Sequence, residues 1–196
     1  AYRDMDVGPG FERLAWKGVV AFDYLQKLLW HTRPYEKKDG MADMLFNEFG
    51  DRIAKIIQKK GNLRDVLSQA GNEFALIADK DIPRKPVIGI NGEIFLRLNR
   101  FSNSDLVKVC ERAGLEVTVS SLGEWFKYTA YRNLEDAITD RKIKKIIISF
   151  VKKLIQEHDE KQIMSVCHDA GENGELSTEA LLEYSGFFLS PKCGSE

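Results

Sequence analysis

Proline is scarce in this chain, with five in 196 residues, so long stretches are free to run as uninterrupted helix. Cysteine is scarcer still. Three thiols (Cys110, Cys167 and Cys193), odd in number and widely spread, exclude a disulfide framework and point to a reducing compartment. Neither sign of charge dominates: Lys+Arg total 29 against 30 Asp+Glu, a net charge of -1. A phosphate-backbone binder shows a basic excess, so no nucleic-acid partner is expected. No apolar run approaches the roughly 18 residues of a membrane span, and AYRDMDVG at the start has no basic-then-apolar signal segment. No membrane partner is expected, and the expected location is cytoplasmic. What is present is ordinary for a globular chain: 43% hydrophobic and 30% charged residues, which excludes a disordered chain. The length suits one domain, or one domain with a helical extension.

Apolar residues at three- and four-residue spacing predict a helix from Phe11 to Trp30, opened by Gly8-Pro9-Gly10 and ended at Arg33-Pro34. A second helix is predicted over Met41–Gln58, and a short third over Leu63–Ala70, capped by Asn62. Residues 1–80 therefore read as helical. Asp81-Ile-Pro-Arg-Lys-Pro86 is a stiff connector. Beyond it, Val87–Ile90 reads as a strand buried on both faces, Ser104–Ala113 as an amphipathic helix stopped by Gly114, and Leu115–Val119 as a second strand. The crossover rule makes the two strands parallel neighbours. Ser121-Leu-Gly-Glu124 is a capping box opening a helix through about Tyr131. The C-terminal part, 133–196, carries a helix over Arg141–His158 with its lysines mainly opposite its apolar residues, a short helix near Ser177, and an ambiguous Phe187-Phe188-Leu189. The expected fold is thus an incomplete α/β unit over 84–132, flanked by helical parts. A chain beginning at Ala1 and ending at Ser195-Glu196, with too few strands to close a sheet, is expected to be a fragment of a larger protein.

The stretch richest in chemistry leaves the carboxyl end of the first strand, where open α/β sheets place ligands. About a dozen residues separate Ile90 from Ser104, more than the usual two to six. Gly89 and Gly92 would let a backbone approach closely, but the third glycine and the Lys-Ser/Thr of a phosphate loop are missing, and Glu93 brings negative charge. Two readings stand side by side. In one, Asn91, Glu93, Arg97, Asn99 and Asn103 orient a ligand or a neighbouring domain; in the other, Asn91 holds a turn and Glu93 pairs with Arg97 at the surface. Glu124 and Trp125, beside Phe126, Tyr128 and Tyr131, either line a pocket at the same edge or belong to the core. Thr32-Arg33-Pro34-Tyr35-Glu36 reads as a solvated turn.

The cysteines have no metal-ligand spacing. Cys110 lies on an apolar helix face and reads as core. Cys167-His168 has no C-x-x-C partner, and Cys193, just after Pro191, is a candidate for a cluster completed elsewhere. His31, His158 and His168 show no zinc spacing, and no G-x-S-x-G is present.

Four separated blocks carry a resemblance: Ala15-Trp-Lys-Gly-Val19, Thr32-Arg-Pro-Tyr-Glu36, the run Pro86 to Asn103 (PVIGINGEIFLRLNRFSN), and Leu115-Glu-Val117 through Ser121-Leu-Gly-Glu-Trp-Phe-Lys-Tyr-Thr129. Over residues 11–132 the chain resembles the 2-hydroxyacyl-CoA dehydratase and activase-related family, in particular the region of the 2-hydroxyglutaryl-CoA dehydratase D-component. The resemblance implies a flavodoxin-like or Rossmann-like sheet, a cysteine-held iron-sulfur cluster and radical chemistry on acyl-CoA thioesters. It also implies partners: other domains of the same polypeptide, or dehydratase and activator subunits. Where dehydratase subunits carry a cysteine after the strand, this chain has Asn91-Gly92-Glu93, so cluster ligands are expected outside this piece and none for the piece alone. The expected function is a domain of such an iron-sulfur protein; the alternative is a non-catalytic docking module of a larger redox protein.

Overall fold

A computed structural model describes residues 10–167. The architecture is mostly helical, with one small two-stranded parallel sheet. Its centre is α1 (Phe11–Thr32), which buries Trp16, Val20, Ala21, Tyr24, Leu25, Leu28 and Leu29. Residues three and four apart share a helix face, so this sequence spacing makes one continuous apolar stripe. Against it lie α2 (Met41–Gln58) and α3 (Arg64–Ile77), which contribute Phe49, Ile53, Leu67, Ala70 and Phe74, all fully buried. The chain enters α1 and α2 through Gly10 and Gly40 at φ +90° and +87°, a left-handed backbone that L side chains resist. The Asn62 side chain accepts from the Arg64 amide at 3.0 Å, but from one position before the N-cap, which is Leu63 and has no side-chain cap bond. The third helix runs past its expected end at Ala70, because Phe74 and Ile77 continue its buried face.

β1 (Val87–Ile90) and β2 (Glu116–Val119) pair parallel, with Val87 opposite Glu116 and Ile90 opposite Val119. The expected adjacency therefore holds. Burial on both faces does not hold for β1, whose Val87 is 55% exposed. The core covers β2, through Val117 and Val119, and leaves β1 as the outer strand. Two features interrupt the long connection between the strands. α4 (Ile94–Leu98) was not anticipated, and α5 (Leu106–Arg112) supplies the expected crossover helix. Cys110 packs half-buried against the core, as its apolar position implied.

α6 (Leu122–Thr139) and α7 (Ile143–Met164) both outrun their expected ends. A single buried cluster draws on α1, α2, α3, β2 and Ile163 of α7, so the N-terminal, central and C-terminal parts share one core. His168, the helix near Ser177, Phe187–Leu189 and Cys193 lie outside the described residues.

Candidate functional site

The connection leaving β1 is held by its own side chains. The Glu93 carboxylate caps α4, accepting from the Leu96 amide at 2.9 Å, rather than pairing with Arg97. Arg97 reaches across the strand ends instead. It donates to Asn91 Oδ1 at 3.2 Å, to the Gly92 carbonyl at 3.3 Å and to the Ser121 carbonyl at 3.3 Å, joining the exit of β1 to that of β2. Gly92 sits at φ +129°, which restricts the position to glycine. At Gly89 a Cβ would stand 3.9 Å from Thr118 Cγ2, an ordinary contact, so no close approach explains that glycine. Asn99 accepts from the Ser102 amide, and Asn103 donates to the Leu96 and Arg97 carbonyls while accepting from the Leu106 amide. The surface-pair reading of Glu93 with Arg97 is overturned. Each polar residue of the stretch has a local structural partner.

Those bonds set an expectation. Arg97→Met should lower unfolding stability by about 1–2 kcal/mol, because three carbonyl-type acceptors lose a charged donor. Glu93→Gln, which keeps an acceptor at the cap, should cost less than about 0.5 kcal/mol. Urea midpoints check both, and equal losses would show that Arg97 does not tie the two exits.

At the same edge the first turn of α6 points its amides into a narrow cleft. In open α/β sheets such a helix N-terminus is offered to phosphate or another anion. Here Asp23 of α1 fills it, accepting from Gly123 N at 2.7 Å and Leu122 N at 3.2 Å, while Ser121 Oγ accepts from Glu124 N at 3.2 Å. A Cβ on Gly123 would stand 2.7 Å from Asp23 Oδ2, so only glycine admits this approach. Burial pushes the Asp23 carboxyl above its ordinary range, against the pull of the Gly123 and Leu122 amides and the Ser121 hydroxyl. The cleft, lined by Trp16, Asp23, Lys27, Glu124 and Lys127, has a volume of about 40 Å³. That is room for a water or so, against the ~300–1,000 Å³ of a small-molecule site. Glu124 reaches this cleft. Trp125 instead stays 44% exposed, edge-on to Phe126 at 5.1 Å.

The strongest polar cluster sits at the opposite, amino edge of the strands. Glu116 opens β2 fully buried at 0% exposure. Its Oε1 lies 2.5 Å from His31 Nδ1, and its Oε2 accepts from the Tyr35 hydroxyl at 2.6 Å, with Arg84 Nη1 3.5 Å away. Next to it, the Arg33 guanidinium donates to both Glu111 carboxylate oxygens at 2.8 and 2.9 Å, and to Asp43 at 2.8 Å. Lys108 completes the group on Asp43 at 2.8 Å. Glu36 accepts from the Gly40 and Ala42 amides at the start of α2. The solvated-turn reading of Thr32–Glu36 is therefore corrected: Arg33 pairs with the largely covered Glu111 carboxylate 78 residues away, and Tyr35 with the buried Glu116 carboxylate 81 residues away. No local signal pointed there: in Leu115-Glu-Val-Thr-Val119 alternation puts Glu116 on the side of the polar, exposed Thr118.

At the strand edge Asn91 Oδ1 accepts from the Arg97 guanidinium. Among the described residues no group of three or more His, Cys, Asp or Glu side chains is placed to hold a metal ion. No helix among them is long and apolar enough to cross a membrane.

No family model, curated protein or solved structure matches this chain.

Proposed function

We propose that the chain is a docking module of a larger protein related to the 2-hydroxyacyl-CoA dehydratases and their activases, contributing binding surface rather than chemistry. The four resemblance blocks support the relationship, and the two parallel strands suit the first part of a flavodoxin-like or Rossmann-like sheet. In this reading the iron-sulfur cluster and the acyl-CoA thioester belong to other domains of the polypeptide or to dehydratase and activator subunits.

The observation that carries the docking reading is the orientation of α7. The sequence leads one to expect its lysines outward and its isoleucines inward. Along Ile143–Ile155 the apolar residues face outward instead, and Lys142, Lys144, Lys145 and Lys152 are exposed as well. Ile143, Ile147, Ile148, Phe150, Val151, Leu154 and Ile155 are each 41–71% exposed. The side that meets the body is largely polar: Asp159 is held by Arg13 at 2.6 Å with Lys17 at 3.6 Å, and Trp16 Nε1 donates to the Gln156 carbonyl at 3.0 Å. Lys152 reaches Glu12 and Glu160 reaches Lys127. A helix anchored to its own fold through Gln156, Asp159, Glu160 and Ile163, with an apolar stripe turned outward ahead of them, offers a surface for a partner.

Ile147→Asp and Leu154→Asp, singly, should change stability by no more than about 0.5 kcal/mol, as substitutions on open surface do. Leu67→Ala in the core should cost about 2–5 kcal/mol. Chemical denaturation separates the two classes. Calorimetry with acetyl-CoA supplies the second arm: saturable binding at micromolar concentration would favour the catalytic alternative.

A further inference from the structure

Resting on the docking reading, we propose that the apolar face of α7 is covered by a second copy of this chain, the two α7 helices packed antiparallel. Ile143, Ile147, Phe150 and Leu154 recur at alternating four- and three-residue steps. That is the seam through which two helices interlock side chains. The exposed stretch from Ile143 to Ile155 is about 18 Å long at helical rise. Its seven side chains offer on the order of 700 Å² per copy, near the ~800 Å² each partner gives to a standard interface.

Charge chooses the direction. α7 begins among cations, with Arg141, Lys142, Lys144 and Lys145, and carries Glu157, Asp159 and Glu160 ahead of Lys161 in its last turn. The basic start opposes the helix dipole, which favours acids there. Asp159 and Glu160 are answered by Arg13, Lys17 and Lys127, and Glu157 lies 3.7 Å from Lys153 of its own helix. At the start, Asp140 answers Lys142, while Lys144 and Lys145 stand exposed. An antiparallel copy brings its acidic end beside this basic start and opposes the two dipoles. A parallel copy would stack cation on cation. Aligning the two seams antiparallel about their midpoint sets Lys142 of one copy within a turn of Glu157 of the other.

Sedimentation velocity on the 196-residue chain over a concentration series tests the proposal. The expected result is a reversible monomer–dimer equilibrium. Ile147→Asp combined with Leu154→Asp should leave only monomer, with the unfolding midpoint unchanged. Glu157→Lys should weaken the dimer about tenfold, and adding Lys142→Glu to it should restore the affinity, because the swapped pair is again of opposite sign. A chain that stays monomeric, while its stripe variants keep the parent midpoint, overturns the second copy and leaves the docking reading standing. Stripe variants that lose the midpoint overturn the docking reading as well. A charge swap that fails to restore affinity overturns the antiparallel arrangement. Co-sedimentation of the monomer with phosphatidylserine vesicles, abolished by the stripe variants, would give the face to a lipid surface and overturn the proposal.

Discussion

Glu116→Ala should cost roughly 3–5 kcal/mol of unfolding stability, the loss that follows when one partner of a buried charged group is removed. The carboxylate has 0% exposure and serves His31, Tyr35 and Arg84 together. Alanine would leave the His31 ring nitrogen and the Tyr35 hydroxyl without an acceptor, and would open a void in β2. Tyr35→Phe removes a single donor and should cost only about 1–2 kcal/mol. Urea unfolding with an unchanged slope measures both. A loss below about 1 kcal/mol for Glu116→Ala, the range of a solvated pair, would refute the buried lock. Alkali provides a second readout. Burial, then the hydrogen bond to Glu116, holds the Tyr35 phenol above its ordinary range, against the Lys85 amide. A group whose folded pKa is raised contributes stability that is complete below its unfolded value, near 10. That contribution should fade as pH rises through the folded value, and Tyr35→Phe should remove the dependence.

Arg33→Met should be nearly as costly, about 3–5 kcal/mol. The guanidinium side chain is 11% exposed and its Glu111 partner 9%, so methionine strands a carboxylate largely removed from water. Arg33→Lys should not rescue it, because an ammonium cannot form the two parallel bonds that the guanidinium makes to Glu111. Acid titration reads the same network. Burial works to raise the Asp43 carboxyl, but the Lys108 hydrogen bond and the Arg33 charge outweigh it and hold it below its ordinary range. A depressed folded pKa contributes stability that is present above the unfolded value, near 4. It is lost as pH falls through the folded value. The parent chain should therefore lose stability more steeply below about pH 4 than Arg33→Met does. Parallel acid profiles for the two would refute the assignment.

Both locks bear on the proposed docking role. Arg33 and Tyr35 follow α1 directly, while Glu111 and Glu116 belong to α5 and β2. The pair of locks therefore fixes the small sheet to the helical body at its amino edge. Arg97 and Asp23 do the same at the carboxyl edge, through Ser121 and the start of α6. Helix α7 is pinned to α1 by Arg13 and Lys17 on Asp159. A partner meeting α7 thus meets a face held on a braced frame, which limits the ordering cost of association.

The helices read over Phe11–Trp30 and Met41–Gln58 and the parallel pairing of Val87–Ile90 with Leu115–Val119, which the fold reproduces to within two residues, were determined by the sequence alone. Periodicity and chain crossover are properties of neighbouring residues and connection length, so local pattern suffices to read them. The roles of the polar residues were decided only in three dimensions. Arg13 finds Asp159 across 146 positions, Tyr35 finds Glu116 across 81, and Gly123 finds Asp23 across 100. Nothing local distinguishes such residues from solvated ones, because desolvation is imposed by what packs over them. The same reason explains α7. Its stripe of isoleucines shows from sequence that one face is apolar, but the direction that face takes is set by what the helix meets on its other side, the Arg13–Asp159 pair and the core contact of Ile163.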